Sequence, residues 1–382
     1  MLERIRQISD DKKKDVIGNF LLFTMFLGEA AYLYFASSAA LIICGMFGII
    51  TFLYIQKNDG FLMPFLTCIA VGIVVLVSIN RLLVLNCSWS GCLRIVFISL
   101  PIAYLLCNVH INRYVAIAFF YLVLLYTVIQ IILADPKELY RIFAASSRNY
   151  ISVLLIACTF PYYLACSRTQ TEVSIFPALL SFLVSFYVQS RGGIIASGIL
   201  FGLTIIRRIY LVREEDWYKK RKKLIYFLIT VVLLLVIVFL IHNSTKYLSR
   251  FFKTEEYPIT RLDMWKEYVT VTGSSINNII LGPPLTTCPL ILEEAYNSHN
   301  SYFMTHSYMG IVGFLVVMVG GIGYLVLCIK KKEYALLFLS ITFLIRAMTD
   351  YLFPMLFCDC IILFMILKVW IEVKEVAYEQ KE

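Results

Sequence analysis

Long apolar runs, separated by short polar segments, predict an all-α polytopic membrane protein with about twelve transmembrane helices, because a helix that crosses a bilayer needs about 20 mostly apolar residues. The run LIYFLITVVLLLVIVFLI at 224–241 is the least ambiguous of them. The predicted spans are residues 16–35, 38–55, 61–79, 95–109, 114–134, 150–166, 175–189, 192–212, 224–241, 307–329, 334–348 and 352–370.

Basic residues at the ends of the runs set the predicted orientation. Lys12, Lys13 and Lys14 precede the first span, and the basic cluster VREEDWYKKRKK at 212–223 follows the eighth. Cytoplasmic loops of membrane proteins are enriched in Lys and Arg, so we expect both segments in the cytoplasm. Residues 242–303 then form a large external loop between the ninth and tenth spans. The predicted organisation is one membrane-embedded domain over 1–382, with cytoplasmic tails at 1–15 and 372–382.

Composition excludes a soluble globular domain. The chain has 382 residues, of which 60% are hydrophobic and 15% are charged, and its mean hydropathy is +0.81. Soluble domains average about 45–50% apolar and about 25% charged residues. The net charge of +9 comes from basic residues at span ends, so we expect membrane lipids and no nucleic acid among the partners.

A few residues stand out against this apolar background. Glu29 lies in the first span near its predicted external end, where we expect a paired or hydrated carboxylate. Cys87 and Cys92 share one predicted external loop, where a disulfide and two unpaired thiols are both compatible with the sequence. The sequence has no Walker loop and no Gly-x-Gly-x-x-Gly after a strand. If the chain is an enzyme, the free energy that drives its reaction would therefore come from an activated substrate.

The motif SRGG at 190–193 lies where the seventh and eighth predicted spans meet on the external side. A helix N-terminus favours anions, because its first N–H groups are unpaired and carry partial positive charge. Gly192 would let a ligand approach the backbone, and Arg191 supplies a planar guanidinium that matches phosphate. The motif predicts a diphosphate site; the alternative is an arginine that only extends its charge into the interface.

A second arginine opens the segment RLDMWKEYV. Trp265 and Tyr268 lie four and seven residues after Arg261, on the same helical face. Such a segment is expected to lie in the membrane interface, with its rings among the headgroups and its cation beside a lipid-linked phosphate. An ordinary amphipathic surface helix is the alternative.

Polar residues before the tenth span are candidates for proton transfer. His299 has a side chain suited to take a proton from a sugar hydroxyl near neutral pH, and the adjacent Asn300 could bind a sugar or orient the ring. His306 follows seven residues later, without further residues at zinc-ligand spacing. We expect no metal or other cofactor. Arg148 and Asn149 lie on the same predicted external side and are weaker candidates for substrate binding.

The order of these motifs resembles that of the O-antigen ligase and O-antigen or capsular polysaccharide polymerase (Wzy-type) superfamily. The features that carry the resemblance are SSRNYISVLLI at 146–156, SRGG at a span junction, TRLDMW, LGPP, and HNSY before a helix that starts with GIVG. They cover about the C-terminal two-thirds of the chain. The sequence departs from the family at Pro284, where a second turn glycine is frequent, and at Tyr308, where an acid is frequent.

The resemblance implies a metal-independent glycosyltransferase in the bacterial cytoplasmic membrane. Its donor would be an undecaprenyl-diphosphate-linked oligosaccharide, polymerised at the outer face of the cytoplasmic membrane. Arg191 and Arg261 would hold the diphosphate, and His299 would activate the acceptor hydroxyl with help from Asn300. Arg148, Asn149, Gly192 and Trp265 would contribute to substrate binding. A chain-length regulator and a flippase of the same pathway would be partners.

Three other functions are compatible with the sequence. A ligase would share these motifs and transfer finished glycan to another acceptor. A lipid-linked oligosaccharide transporter or flippase would need charged residues along a central cavity, and such residues are few within the predicted spans. A non-catalytic membrane scaffold would need neither the arginines nor His299.

Overall fold

The computed structural model describes residues 2–58, 62–134, 142–213, 215, 220, 261–293 and 297–379. Regular structure within these ranges is helical throughout. The helices are α1 Leu2–Phe35, α2 Ser38–Asn58, α3 Met63–Leu83, α4 Trp89–Asn108, α5 Arg113–Leu133, α6 Tyr150–Arg168, α7 Phe176–Tyr187, α8 Arg191–Val212, α9 Arg261–Gly273, α10 Ile276–Leu281, α11 Pro289–Glu293, α12 Ser301–Lys330, α13 Tyr334–Met348 and α14 Asp359–Glu379. A π-helical turn, Ile95–Ser99, lies inside α4.

Eight of the described helices are long and apolar enough to cross a membrane, which confirms a helical membrane protein. They are α1 from Lys12 onward, α2, α3, α4, α5, α6, α8 and α12. Helices α7 and α13 are apolar but shorter. The predicted ninth span, 224–241, lies outside the described residues, so the number of about twelve spans stays a prediction.

Four helices begin six or more residues away from their predicted first residues. Helix α1 begins at Leu2 rather than 16, and α4 begins at Trp89 rather than 95. Helix α12 begins at Ser301 rather than near 307, because the Asn300 side chain caps it by accepting from the backbone N–H groups of Tyr302 and Phe303. Helix α14 begins at Asp359 rather than 352. The preceding segment, 349–358, contains Pro354, which has no N–H for a helical hydrogen bond.

Helix α6 forms the centre of the bundle. Every residue from Tyr150 to Cys166 is buried, including polar Ser152 and Thr159. Helices α2, α3 and α8 lie at the periphery and expose large apolar side chains such as Ile42 and Ile49. This apolar outer surface suits contact with lipid tails rather than water.

Hydrogen bonds between helix ends group the loops at two ends of the bundle. At the basal end, the Tyr54 hydroxyl donates to the Lys14 carbonyl at 3.0 Å, and the Asn19 amide donates to the His110 carbonyl at 2.9 Å. At the opposite end, which we call the site end, the Ala145 N–H donates to the Leu33 carbonyl at 3.2 Å. The loops joined by these hydrogen bonds therefore lie at opposite ends of the bundle.

The intramembrane acid Glu29 is paired. It is 1% exposed and accepts from Arg94 of α4, whose Nε lies 3.1 Å from Oε1 while Nη2 contacts Oε2. The Arg94 guanidinium also lies 5.0 Å from the centre of the Tyr32 ring. Cys87 and Cys92 are both buried free thiols, so no disulfide joins them in this structure.

Candidate active site

Five segments of the chain meet at the site end of the bundle. They are the start of α6, the start of α8, the start of α9, the loop before α12 and the segment between α13 and α14. The side chains of Arg261, His299, Arg346 and Asp350, together with the backbone at Gly192, form what we call the cationic site.

A buried ion pair lies at the centre of the cationic site. Arg346, near the end of α13, and Asp350, four residues later, are each 2% exposed. The Arg346 Nη2 lies 2.8 Å from Asp350 Oδ2, and the same guanidinium donates to the Thr349 hydroxyl at 3.2 Å and to the Asn149 carbonyl at 3.3 Å. These contacts fix the guanidinium plane between the 346–350 segment and the residue that precedes α6.

The carboxyl group of Asp350 is held in its ionised form. Burial alone would raise its pKa, but the hydrogen bond with His299 and the charges of Arg346 and Arg261 outweigh burial and hold the pKa well below its usual range. The backbone N–H of Tyr351 donates to Oδ1 as well, at 3.0 Å. Asp350 therefore remains a carboxylate at neutral pH.

The imidazole of His299 is oriented by that carboxylate. Its Nδ1 lies 3.3 Å from Asp350 Oδ1, and its side chain is 22% exposed. Because a carboxylate only accepts hydrogen bonds, this contact favours the proton on Nδ1 and leaves Nε2 as the basic nitrogen. The backbone at His299 has a φ of 51°, a left-handed conformation uncommon for residues other than glycine. The Asn297 side chain supports this turn by accepting the His299 N–H at 2.8 Å.

Arg261 brings a second cation to the same place. It is the first residue of α9, it is partly buried, and its Nη1 donates to the Thr349 carbonyl. Two permanent cations, Arg261 and Arg346, thus face one carboxylate. The four named side chains sum to a formal charge of +1 when His299 is neutral, so this group favours an anionic ligand.

The first turn of α8 lies directly against Arg346. A Cβ atom at Gly192 would be 2.9 Å from Arg346 Nη1 and 3.2 Å from Cζ, so glycine is needed for this close approach. Two buried polar atoms near this turn, Arg346 Nε and Ser190 Oγ, make no hydrogen bond. With the unpaired N–H groups of the first helical turn, they leave several donors beside Gly192. Such donors are suited to bind anionic oxygens.

The other predicted residues lie around the cationic site in different roles. Asn149 reaches Arg346 through its backbone carbonyl, and Arg148 directly precedes it. Trp265 lies one turn after Arg261 and donates from Nε1 to the Ser298 carbonyl at 2.9 Å. Arg191 is exposed at the start of α8. Asn300 is buried and its side-chain oxygen caps α12, which is a structural role.

His306 lies in a separate buried cluster that supports the site. Its Nδ1 is 2.8 Å from the Tyr268 hydroxyl, and its Nε2 is 2.8 Å from the Ile279 carbonyl. The ring therefore links α9, α10 and α12. Both ring nitrogens are engaged by protein groups, so His306 serves packing rather than proton transfer to a ligand.

Arg346 and Asp350 are absent from the residues that the sequence motifs predict. The signal present in the sequence is RAMTD at 346–350, with a cation inside an apolar helix and an acid four residues later. Ionisable residues within membrane segments are functional candidates by default. Because Arg346 lies close to a span end, however, the sequence alone does not distinguish it from an arginine that extends toward water.

Comparison of the chain with protein-family models, with curated proteins and with solved structures gave no match. The chemistry of the cationic site therefore has to be argued from its own geometry. It combines fixed cations, which suit a departing anion, with an imidazole that a buried carboxylate orients, which suits proton acceptance.

Proposed function

We propose that the protein is a polysaccharide polymerase that joins undecaprenyl-diphosphate-linked oligosaccharide repeat units at the outer face of the bacterial cytoplasmic membrane. The observation that carries this proposal is the meeting of Arg261 and Arg346 with the His299–Asp350 pair at one end of an apolar helical bundle. The order of the SRGG, TRLDMW and HNSY motifs adds support. In this orientation both termini are cytoplasmic.

The proposed reaction is a glycosyl transfer between two lipid-linked molecules. A hydroxyl oxygen of the acceptor sugar attacks the anomeric carbon of the donor glycan and forms the new glycosidic bond. The bond from that carbon to the diphosphate oxygen breaks, and its electron pair leaves with the lipid diphosphate. The hydroxyl proton passes to Nε2 of His299, which then releases it to water. Atoms and charge balance without a further reactant.

Each group in the cationic site has one role in this scheme. Arg261 and Arg346 stabilise the negative charge that develops on the departing diphosphate, with Arg191 and the first turn of α8 nearby. One preorganised donor of this kind is commonly worth about 3 kcal/mol in the transition state. His299 acts as general base, which contributes about 10²–10⁴-fold. Asp350 is a positioning residue that orients His299 and Arg346.

The test is an assay with purified protein. Protein in detergent is supplied with a polyprenyl-diphosphate-linked repeat unit, beside an Arg191→Ala variant. We expect a ladder of lengthening glycans from the wild-type protein and none from the variant. A single transfer that requires a foreign acceptor lipid would make the protein a ligase. Substrate left intact by wild-type protein would reject glycan transfer and favour a transporter.

A further inference from the structure

A groove of about 1150 Å³ lies at the basal end of the bundle, at the opposite end from the cationic site. It runs between α1 and α5. Its walls are apolar and come from Val16, Phe20, Phe23 and Leu27 of α1 and from Val115 and Leu122 of α5. The α1 residues are three or four positions apart, so they line one face of that helix.

The mouth of this groove is polar and carries cations. Lys12, His110 and Arg113 line it, together with the carboxylate of Asp15. The Asp15 Oδ1 accepts the backbone N–H of His110 at 3.0 Å, so it is already engaged. The Arg113 Nη2 donates to the Tyr114 hydroxyl at 2.6 Å, which leaves its other N–H groups for a ligand. The mouth therefore carries two permanent cations, Lys12 and Arg113, and one carboxylate, Asp15.

The mouth is built by contacts between the two segments rather than by exposed side chains alone. The Asn19 amide donates to the carbonyls of Asp15 and His110, at 2.7 and 2.9 Å. The backbone N–H of Asn112 donates to the Asn19 side-chain oxygen at 3.1 Å. These bonds fix the loop before α5 against α1, so the cations are held at a defined opening.

The length of the groove matches one lipid leaflet. From Val16 to Leu27 the apolar wall follows α1 for eleven residues, which is about 16 Å at about 1.5 Å per residue. Half of a hydrocarbon core of about 30 Å is about 15 Å. The apolar wall therefore accommodates an acyl chain, while the cationic mouth lies at headgroup depth.

We propose that this groove binds an acidic phospholipid, with the phosphate at Lys12 and Arg113 and an acyl chain along the apolar wall. Charge complementarity selects an anionic headgroup over a zwitterionic one, because the mouth carries an excess of positive charge. The proposal does not depend on glycan transfer at the other end of the bundle.

Native mass spectrometry of the detergent-purified protein tests the proposal. The probes are phosphatidylglycerol and phosphatidylcholine with identical acyl chains. We expect wild-type protein to retain phosphatidylglycerol more tightly. The Lys12→Ala/Arg113→Ala variant should bind it roughly 30-fold more weakly, since each cation near an anionic headgroup contributes a factor of about five. Its affinity for phosphatidylcholine should not change.

Two further variants make the test specific. Lys57→Ala/Lys330→Ala removes two exposed cations that end α2 and α12 at the basal end, outside the groove, and should keep the wild-type preference. Val115→Trp should fill the groove and weaken the binding of both lipids, and the thermal unfolding of the protein should not change. Equal binding of the two lipids by wild-type protein would overturn the proposal. So would an equal loss of preference in the Lys57→Ala/Lys330→Ala control.

Discussion

At the scale of single residues, the proposed function of the cationic site depends on how Arg346 is held. One guanidinium donates to Asp350, Thr349 and Asn149 at once and still presents an unbonded Nε toward the first turn of α8. A planar fork can meet these partners together, whereas an ammonium group is a single point charge. The positive charge of Arg346 and the planar geometry of its guanidinium therefore make separate contributions to the proposed site.

Arg346→Lys separates these two contributions. The variant keeps the cation, so we expect thermal unfolding close to that of the wild-type protein. The lysine does not reproduce the fork, and the rate of glycan transfer should fall about 100-fold, the usual effect of losing one oriented transition-state donor. The matched control is Arg208→Lys, at an exposed arginine of the basal end. A normal rate in Arg346→Lys would remove this residue from the mechanism.

The depressed pKa of Asp350 predicts a defined pH dependence of stability. The folded-state pKa lies well below the ordinary value, which is about 3.9 for an unfolded chain. Between the folded-state pKa and the unfolded-state pKa, the unfolded protein binds more protons. The free energy of unfolding therefore falls as the pH falls. The contribution of Asp350 is therefore complete above about pH 5 and is lost only below about pH 4.

This dependence is measured by comparing His299→Gln with His299→Gln/Asp350→Asn. The glutamine amide keeps an N–H donor for the carboxylate, and no histidine titrates beside it. The difference in the free energy of unfolding, from denaturant titrations in detergent, should be constant from pH 5 to 8. It should shrink as the pH falls below about 4. A difference that changes between pH 6 and 8 would show that Asp350 is protonated in the folded protein near neutral pH.

At the scale of helices, glycines bring the site-bearing segments together. Gly192 admits the Arg346 guanidinium against α8. Gly310 has a φ of 64° and interrupts α12, so that the segment after Ser301 departs from the direction of the membrane-crossing part. A Cβ at Gly310 would lie 2.4 Å from the Ile280 carbonyl oxygen of α10. Both positions require glycine because backbone or fixed side-chain atoms occupy the space.

Gly192→Ala tests the contact between α8 and α13. The added methyl group displaces the guanidinium of Arg346, and we expect most of the glycan transfer to be lost. Gly202→Ala is the matched control on the same helix, because nothing lies within 4 Å of its added Cβ. The control should keep its activity and gain up to about 1 kcal/mol of helix stability. Equal activity in the two variants would contradict the proposed contact.

The sequence predicts the helices better than it predicts their ends. Runs of about 20 apolar residues identify the membrane-crossing helices, because the bilayer imposes that length. The start of α12 depends on Asn300 acting as the N-cap. From the sequence alone, the same asparagine is equally compatible with a residue of a binding loop. The start of α14 depends on how the ten residues from 349 to 358 pack, which no local periodicity encodes.

At the scale of the whole molecule, two buried ionic groups join helices in the part of the chain that the structure describes. One is the cationic site, and the other is the Glu29–Arg94 pair between α1 and α4. Sequence motifs predict His299, Arg261 and Gly192 because each belongs to a short polar segment. They miss Arg346 and Asp350 because the pairing of these residues with distant segments is a property of tertiary packing.

The Glu29–Arg94 pair predicts an asymmetric mutational response. Glu29→Gln leaves a cation that is 8% exposed without its bonded carboxylate, and breaking a buried pair in this way costs about 3–5 kcal/mol. Glu29→Met/Arg94→Met removes both charges at similar volume and should recover most of that loss. The measurement is thermal unfolding in detergent. A double variant as unstable as Glu29→Gln would show that the pair itself stabilises the bundle.

The release of polyprenyl diphosphate during glycan transfer tests the central claim most directly. The rate is measured with purified protein and a lipid-linked repeat unit for Arg261→Ala, for His299→Ala and for Arg208→Ala at the basal end. We predict that the first variant loses release, that the second is slowed about 10²–10⁴-fold, and that the control matches the wild-type protein. Wild-type release from Arg261→Ala and His299→Ala would contradict catalysis at the cationic site.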